Sequence, residues 1–324
     1  MTVLVTGGAG YIGSHVALSL LDRGERVVIL DDLSTGDRRC IAPAATFIKA
    51  DVGDASLLRE LLHKHAINGI IHLAGSIIVR DSVTQPLTYY SNNTVNSCTL
   101  IEAAVHAGVP HFIFSSTAAV YGQPATLMVD ETAPLTPISP YGTSKLMTEL
   151  MLRDAARAHD LRYVALRYFN VAGADPAGRS GETPPESTHL VKIACETALG
   201  KRPHLEVFGI DYPTADGTCI RDYIHVTDLA EAHLAALDYL RGGGPSDVFN
   251  CGYGRGYSVL EVITAVKRAC NHDFPIKTAP RRPGDPAALI AATDKLRSAL
   301  AWTPRHDNID EIVRHALAWE RTIG

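Results

Sequence analysis

A strand, a glycine-rich turn and the start of a helix open this chain, with "VLVTG" at 3–7 running directly into "TGGAGYIGSH" at 6–15. No other feature constrains the fold as tightly. Gly7, Gly10 and Gly13 permit a tight turn, close approach of the backbone to a pyrophosphate and close packing of helix on strand, with the positive helix end facing the phosphates. The same alternation continues. Largely apolar runs at 26–31, 45–51, 69–75, 111–116 and 162–169 read as strands covered on both faces, and helical spacing fills 11–23, 55–65, 90–107 and 141–158. Such alternation predicts a parallel sheet wound by right-handed crossovers, with ligands at the carboxyl ends of its strands.

The texture changes after about residue 170. "NVAGADPAGRSGETPPEST" is rich in Gly, Pro and small polar residues and marks a boundary. Beyond it "EVFG" and "SDVFNCG" read as short strands, and 188–200, 228–241, 258–270 and 309–321 as helices. The expected fold class is therefore α/β. A Rossmann-type doubly wound parallel sheet occupies residues 1–170, with a return segment around 221–252, and a smaller mixed α/β C-terminal substrate domain spans 171–324.

With 324 residues, 46% hydrophobic and 20% charged, the chain is long enough for a substantial core. A formal charge of -5 gives no general attraction to nucleic acid or to an anionic membrane, so an anionic ligand must be met by local basic groups. No apolar stretch approaches the roughly 20 residues of a membrane helix, and Met1 leads into the first strand without a basic leader. A cytoplasmic protein is expected. The 6 cysteines form no C-x-x-C and the 14 histidines no H-E-x-x-H, which indicates neither a disulfide framework nor a metal site.

Three further groups of residues carry chemistry. Asp31 ends the second strand, where a carboxylate accepts hydrogen bonds from both ribose hydroxyls and repels a 2′-phosphate, favouring NAD over NADP. Asp51, after the third strand, is placed either to bind the adenine amino group or to serve the start of the next helix. Ser115, Ser116 and Thr117 stand at the carboxyl end of a strand, where hydroxyls can point into the cofactor crevice. Tyr141 and Lys145 follow in "SPYGTSK", at i and i+4 on one helix face. If both face the crevice, the lysine and an oxidised nicotinamide would lower the phenol's pKa and make Tyr141 a general base, with Thr117 or Ser116 aligning the substrate oxygen. In the second half, Arg221 and Arg282 are local basic groups whose guanidinium forks suit an anionic ligand bound to an acidic protein.

"TGGAGYIG", "HLAGSIIVRDSVTQPLTYYSNN", "SSTAAVYG", "SPYGTSK", "RYFNVAGA", "RDYIHVTDLA" and "PRRPGD", in this order, resemble the extended short-chain dehydrogenase/reductases, and most closely the UDP-glucose 4-epimerase family. The resemblance covers nearly the whole chain. It implies a catalytic set of Thr117, Tyr141 and Lys145. It implies NAD contacts from Gly7, Gly10, Tyr11, Ile12, Gly13, Asp31, Asp51, Val52, Ala74, Gly75, Asn93 and Tyr168, besides Ser115 and the catalytic pair. It also implies a UDP-sugar site formed by Thr117, Tyr141, Phe169, Asn170, Leu190, Phe208, Arg221, Arg282, Asp285 and Leu289, and a homodimer paired through helices 90–107 and 141–158.

The implied reaction is inversion at carbon 4 of a UDP-hexose through a 4-keto sugar, with a captive NAD. Ala118 and Ala119 after Thr117 replace the acidic pair that a 4,6-dehydratase needs. A dinucleotide-sensing regulator would require neither Tyr141 nor Lys145. Two positions depart from the enterobacterial-type pattern. Ile77 replaces a lysine, with Arg80 as the nearby candidate to compensate, and Leu289 replaces a tyrosine that lines the sugar pocket. A smaller residue there points to acceptance of N-acetylhexosamines, with pentoses as a further alternative.

Overall fold

The computed structural model describes residues 1–183, 187–282 and 284–323. Pro283 of the "PRRPGD" stretch lies outside them.

Seven parallel strands form the main sheet, in the spatial order Asp247–Cys251, Arg162–Tyr168, His111–Thr117, Gly69–His72, Thr2–Thr6, Arg26–Asp31, Thr46–Lys49. The first strand is buried at all five positions. That is why its sequence is an unbroken apolar and β-branched run rather than an alternating one. Two apolar layers cover the sheet. On one face Val16, Ala17 and Leu20 of the helix Tyr11–Asp22 pack with Leu229, Ala230 and Leu237 of the helix Val226–Arg241. On the other, Leu58, Leu61 and Leu62 of Ala55–Lys64 pack with Leu100, Ile101 and Ala104 of Asn96–His106 and Leu152 of Pro140–Ala158.

Local signals place the helix ends. Asp54 accepts from the backbone N–H of Ser56 and Leu57 at 3.0 Å each. Ser139 caps Pro140–Ala158 by accepting from Gly142, and Pro140 occupies the first turn, where its missing N–H costs nothing. Ser258 and Glu261 form a reciprocal capping box, and Asn271 closes that helix at φ 60°.

The strand order runs outward in both directions from Thr2–Thr6, through Arg26–Asp31 on one side and Gly69–His72 on the other. This reversal opens a crevice at the carboxyl ends of the first and fourth strands, where open α/β sheets bind ligands. The remaining strands form a second, smaller group. Gly256–Ser258, Ile220–His225, Ala288–Ala291 and Met128–Val129 pair in that order, with Asn170–Ala172 against Ile220–His225, and Leu205–Phe208 pairs Ile276–Ala279. Met128–Val129 reaches this group from the first half of the chain, while Val226–Cys251 returns to the main sheet.

Residues 90–107, expected as one helix, are two pieces. Tyr90–Val95 forms a π turn and Asn96–His106 an α-helix. The extra residue in the wide turn rotates the asparagines at 92, 93 and 96 relative to one another, as π turns at functional sites commonly do.

Candidate active site

Gly10 precedes the helix Tyr11–Asp22 as its N-cap and offers no side chain to the first backbone N–H groups, which leaves them free for an anion. The glycines here answer to space. A Cβ on Gly13 would lie 2.1 Å from the Gly7 carbonyl oxygen, and one on Gly7, at φ +69°, would lie 2.7 Å from the Ala74 nitrogen. The loop is thus closed at Gly7 and Gly13 against backbone, that of Leu73 and Ala74 and its own turn, and at Gly8 against the Ile29 side chain. A dinucleotide fits this cradle, because a pyrophosphate needs uncapped N–H groups and no intervening side chain.

Asp31 stands beside it. Its Oδ2 accepts from Ala9 N at 2.9 Å and Oδ1 from Leu33 N at 2.8 Å, which orients the carboxylate and leaves one lone pair on each oxygen. Burial pushes its pKa up, and the backbone bonds partly offset that. The space between Leu33, Thr35, Gly36, Arg38, Arg39 and Thr183, about 300 Å³, continues the groove at this end. Arg39 forks onto Asp37 at 2.7 Å, and both arginines are exposed. Asp51 is exposed, accepting from Gly53 N at 2.7 Å and Asn96 Nδ2 at 3.1 Å; the cap of the following helix is Asp54. Val52 is buried in the core, Ile12 and Ala74 are partly buried, and the Tyr11 hydroxyl donates to Gly173 O at 2.7 Å.

Tyr141 and Lys145 are both buried. The helix lays them against the end of His111–Thr117. Lys145 Nζ donates to the Ser115 carbonyl at 3.0 Å, lies 5.0 Å from the centre of the Phe114 ring and is 3.8 Å from where a Cβ on Gly75 would be. Burial lowers its pKa to about 8. The lowering of the phenol expected from Lys145 together with an oxidised nicotinamide is not present in the protein alone. Burial raises Tyr141 to about 12, the Thr117 hydroxyl pulls it down, Tyr89 raises it further, and Lys145 is not among the causes. The ammonium is turned toward a carbonyl, and a desolvated phenol alone stays neutral.

The three strand hydroxyls diverge, and of Thr117 and Ser116, the two expected as alternatives to align the substrate oxygen, it is Thr117 that lies at Tyr141. Thr117 meets Tyr141. Ser115 bonds His233 Nε2 at 2.7 Å on one face of the sheet and lies against Tyr168. Ser116 donates to Glu149 on the other. Successive side chains of a strand point to opposite faces, so no straight strand could present all three.

The π turn supplies what spacing could not reveal. Asn93 is buried, accepts from Ser76 N at 2.7 Å and donates to Ser76 O at 2.9 Å and Ser144 Oγ at 3.1 Å; Ser144 in turn donates to Tyr141 O at 2.8 Å. Behind it is His72, a residue that sequence reasoning did not single out. Ser97 donates to Asn93 O and therefore accepts from His72 Nε2 at 2.8 Å, so His72 Nδ1 accepts from Thr6 at 2.7 Å. Burial, with Lys145 adding to it, lowers His72 to about 3 and keeps it neutral. Ile77 is exposed, and Arg80 is exposed too and pairs, among the described residues, with its neighbour Asp81 at 3.5 Å, away from the buried Lys145.

The second-half residues gather in two groups. Arg282 stacks on Phe208 at 3.9 Å, and Arg221 contacts Asp285 at 3.3 Å. Arg221 is in register with Leu289 on the adjacent strand, and Tyr223 with Asn170. Leu289 packs against the cluster of Ala118, Tyr121, Val129, Phe169 and Ala291. Leu190 packs instead against the larger core cluster at the head of the helix Leu190–Ala198.

One His/Glu group lies within metal-ligand reach among the described residues: His306, Glu311 and His315. Its hydrogen bonds already fix the protons. Thr227 N donates to His225 Nδ1 at 3.0 Å, so His225 Nε2 donates to His315 Nδ1, also at 3.0 Å, and the proton of neutral His315 sits on Nε2, facing Glu311. No lone pair is offered to a cation from that ring.

Comparison with known proteins places these features. The model of the NAD dependent epimerase/dehydratase family matches residues 3–252. A UDP-glucose 4-epimerase of Azospirillum brasilense is 56% identical over 321 residues, which cover 99% of this chain and 92% of the relative. A crystal structure of UDP-glucose 4-epimerase from Brucella ovis in complex with NAD superposes with a TM-score of 0.95 at 42% identity, covering 98% of this chain and 97% of that one. The UDP-Glc/GlcNAc 4-epimerase of Campylobacter jejuni does so with a TM-score of 0.87 at 48% identity, covering 99% of both. Crevice, glycine cradle and full-length similarity agree, and the chain belongs to the NAD dependent epimerase/dehydratase family.

Proposed function

We propose that this protein inverts carbon 4 of a UDP-hexose, interconverting UDP-glucose and UDP-galactose, with Tyr141 as the base. The observation that carries the reading is that Tyr141 and Lys145 lie buried against the Thr117 end of a strand, beside Gly75, at the strand-order reversal. Gly7, Gly10 and Gly13 would hold the pyrophosphate of NAD and Asp31 its ribose, and the oxidised cofactor bound there would supply a hydride acceptor and a positive charge. Tyr141 takes the proton of the 4′-hydroxyl, and Thr117 aligns that oxygen. With that proton on Tyr141 and the carbon-4 hydride passed to the acceptor, the flat 4-keto sugar that results is held by its diphosphate rather than by its ring. It turns over, and Tyr141 returns the proton when the hydride is regained on the opposite face. Firm hold on the nucleotide and loose hold on the sugar favour such turnover.

Arg221 and Arg282, with Asp285 and Phe208, are the anchors for the uridine diphosphate. Arg282→Ala is expected to raise KM for UDP-glucose about 10- to 100-fold with kcat little changed, from the loss of one charge-assisted bond of about 1.5–3 kcal/mol. Steady-state kinetics at several substrate concentrations check this.

Leu289 supports a second substrate class. It shares a cluster with Phe169 and Tyr121 beside Arg221, where a leucine leaves more room than a tyrosine. We read the pocket as admitting UDP-N-acetylhexosamines. Leu289→Tyr is expected to cut turnover of UDP-N-acetylglucosamine about tenfold or more while sparing UDP-glucose. The deciding experiment incubates the purified protein, without added NAD, with UDP-glucose, UDP-galactose, their N-acetyl forms and UDP-xylose. No inversion of any hexose would overturn the proposal.

The paired assembly is part of the same reading. Val95, Met147 and Leu150 are exposed apolar residues on the two adjoining helical segments through which a homodimer would form. Among the described residues no helix is long and apolar enough to cross a membrane.

A further inference from the structure

Three consecutive residues of one strand serve three residues of the helix Pro140–Ala158, each one turn apart. The Thr117 hydroxyl meets Tyr141, the Ser115 carbonyl accepts from Lys145 at 3.0 Å, and the Ser116 hydroxyl donates to Glu149. Positions 141, 145 and 149 share a helix face. The third pair touches neither the cofactor cradle nor the proposed sugar site, yet it is the most elaborately held.

Glu149 and Arg167 are both 4% exposed. Arg167 Nε donates to Glu149 Oε1 at 3.0 Å and Nη2 to Oε2 at 2.6 Å, a two-point fork. Arg167 is in register with Ser116 on the neighbouring strand, so the guanidinium and that hydroxyl approach one carboxylate from the same sheet face. Its Nη1 donates to the Tyr121 hydroxyl at 3.0 Å; Tyr121 donates to Asn250 Oδ1 at 2.7 Å, and Asn250 Nδ2 to Val129 O at 2.9 Å. The network joins the helix carrying Tyr141, the strand carrying Thr117, the turn that follows it and the last strand of the main sheet.

A buried ion pair is weak evidence for stability, because desolvation cancels much of its attraction. A fork, however, accepts its partner at one depth and one angle. A helix slide of one residue, about 1.5 Å, would part Tyr141 from Thr117 and Lys145 from Ser115 together.

We propose that Glu149 and Arg167 are positioning residues that set the depth of the helix against the strand and so align Tyr141, Lys145 and Thr117 for proton transfer. This rests on the assignment of Tyr141 as the base. The test is the double variant Glu149→Met with Arg167→Met, which keeps similar volume and leaves no buried charge unpartnered, alongside Ser116→Ala, which removes only the hydroxyl. Each is assayed with UDP-glucose, and kcat is expressed per bound NAD, so that a loss of folded protein alone does not register.

A drop in kcat of about tenfold or more in the double variant and a smaller one in Ser116→Ala, both with KM and bound NAD near wild type, is the expected result. A folded, NAD-bearing double variant whose kcat is within twofold of wild type overturns the proposal. If the double variant does not fold, undiminished kcat in Ser116→Ala does so. Wild type and Tyr141→Phe run in parallel separate the two readings. An inactive wild type or an active Phe variant defeats the assignment of the base, whereas normal controls with an unimpaired double variant defeat only the positioning.

Discussion

Tyr141→Phe is expected to lower kcat by about 10²–10⁴-fold while NAD stays bound and the melting temperature is little changed. The variant removes one oxygen from a buried ring and leaves the cradle of Gly7, Gly10 and Gly13 untouched. Bound NAD, measured after denaturation, and turnover of UDP-glucose report the two halves separately, and an active Phe variant would show that the base lies elsewhere. The size of the effect follows from how unfavourable the phenolate is. Burial puts Tyr141 at about 12. Bringing it to 7 needs roughly 7 kcal/mol of preferential stabilisation, at 1.36 kcal/mol per pKa unit. The Thr117 hydroxyl already pulls the phenol down within that value, and the remainder is expected from positive charge brought next to the ring, the oxidised nicotinamide together with Lys145.

The same argument predicts the pH profile of the wild type. Lys145 is a base whose pKa burial has lowered to about 8, so it is charged below that pH and loses its charge above it. Tyr141 acts when deprotonated and is favoured by rising pH. Activity should therefore rise from acid pH as the phenol ionises, then fall as Lys145 discharges near 8, with the alkaline limb absent in Lys145→Met.

Gly13→Val is expected to abolish NAD retention altogether. A Cβ at this position would sit 2.1 Å from Gly7 O and 2.8 Å from the Gly7 carbonyl carbon and the Gly8 Cα. These are backbone atoms in a loop packed on the fourth strand, and no rotamer change relieves the contact. The helix must back away from the strand, which moves its N–H groups off the pyrophosphate and costs about 1–3 kcal/mol of stability in addition. Absorbance of the purified variant at 260 nm relative to 280 nm and its melting curve check both effects. A Gly13→Val protein that copurifies with NAD would refute the assignment of the cradle.

Most strands and helices of the main sheet in the first half were legible because each is an apolar or periodic run bounded by turn residues. The glycines and Asp31 were legible because a dinucleotide imposes fixed spacings on a strand–turn–helix unit. What escaped was set by side-chain direction. The spacing of Tyr141 and Lys145 placed them on one face, but where the ammonium points depends on the Ser115 carbonyl of another element. Ser115, Ser116 and Thr117 read as one polar run, yet the pleat sends their hydroxyls to His233, Glu149 and Tyr141. The π turn at Tyr90–Val95 has no periodic signature to distinguish it from a helix, and the chain of bonds from its Asn93 through Ser97 to His72 joins segments distant in sequence.

By itself, then, the order of residues determined the class of fold, the location of the crevice and the kind of ligand it accepts, since these follow from hydrophobic period, from glycine where no side chain fits and from the sign of charge at strand ends. Tertiary structure alone decided which polar groups face one another, and with that the acidity of Tyr141 and Lys145. A pKa is the work of bringing charge into a particular surrounding, and that surrounding is assembled from segments as distant along the chain as Thr117, Tyr141 and Tyr89.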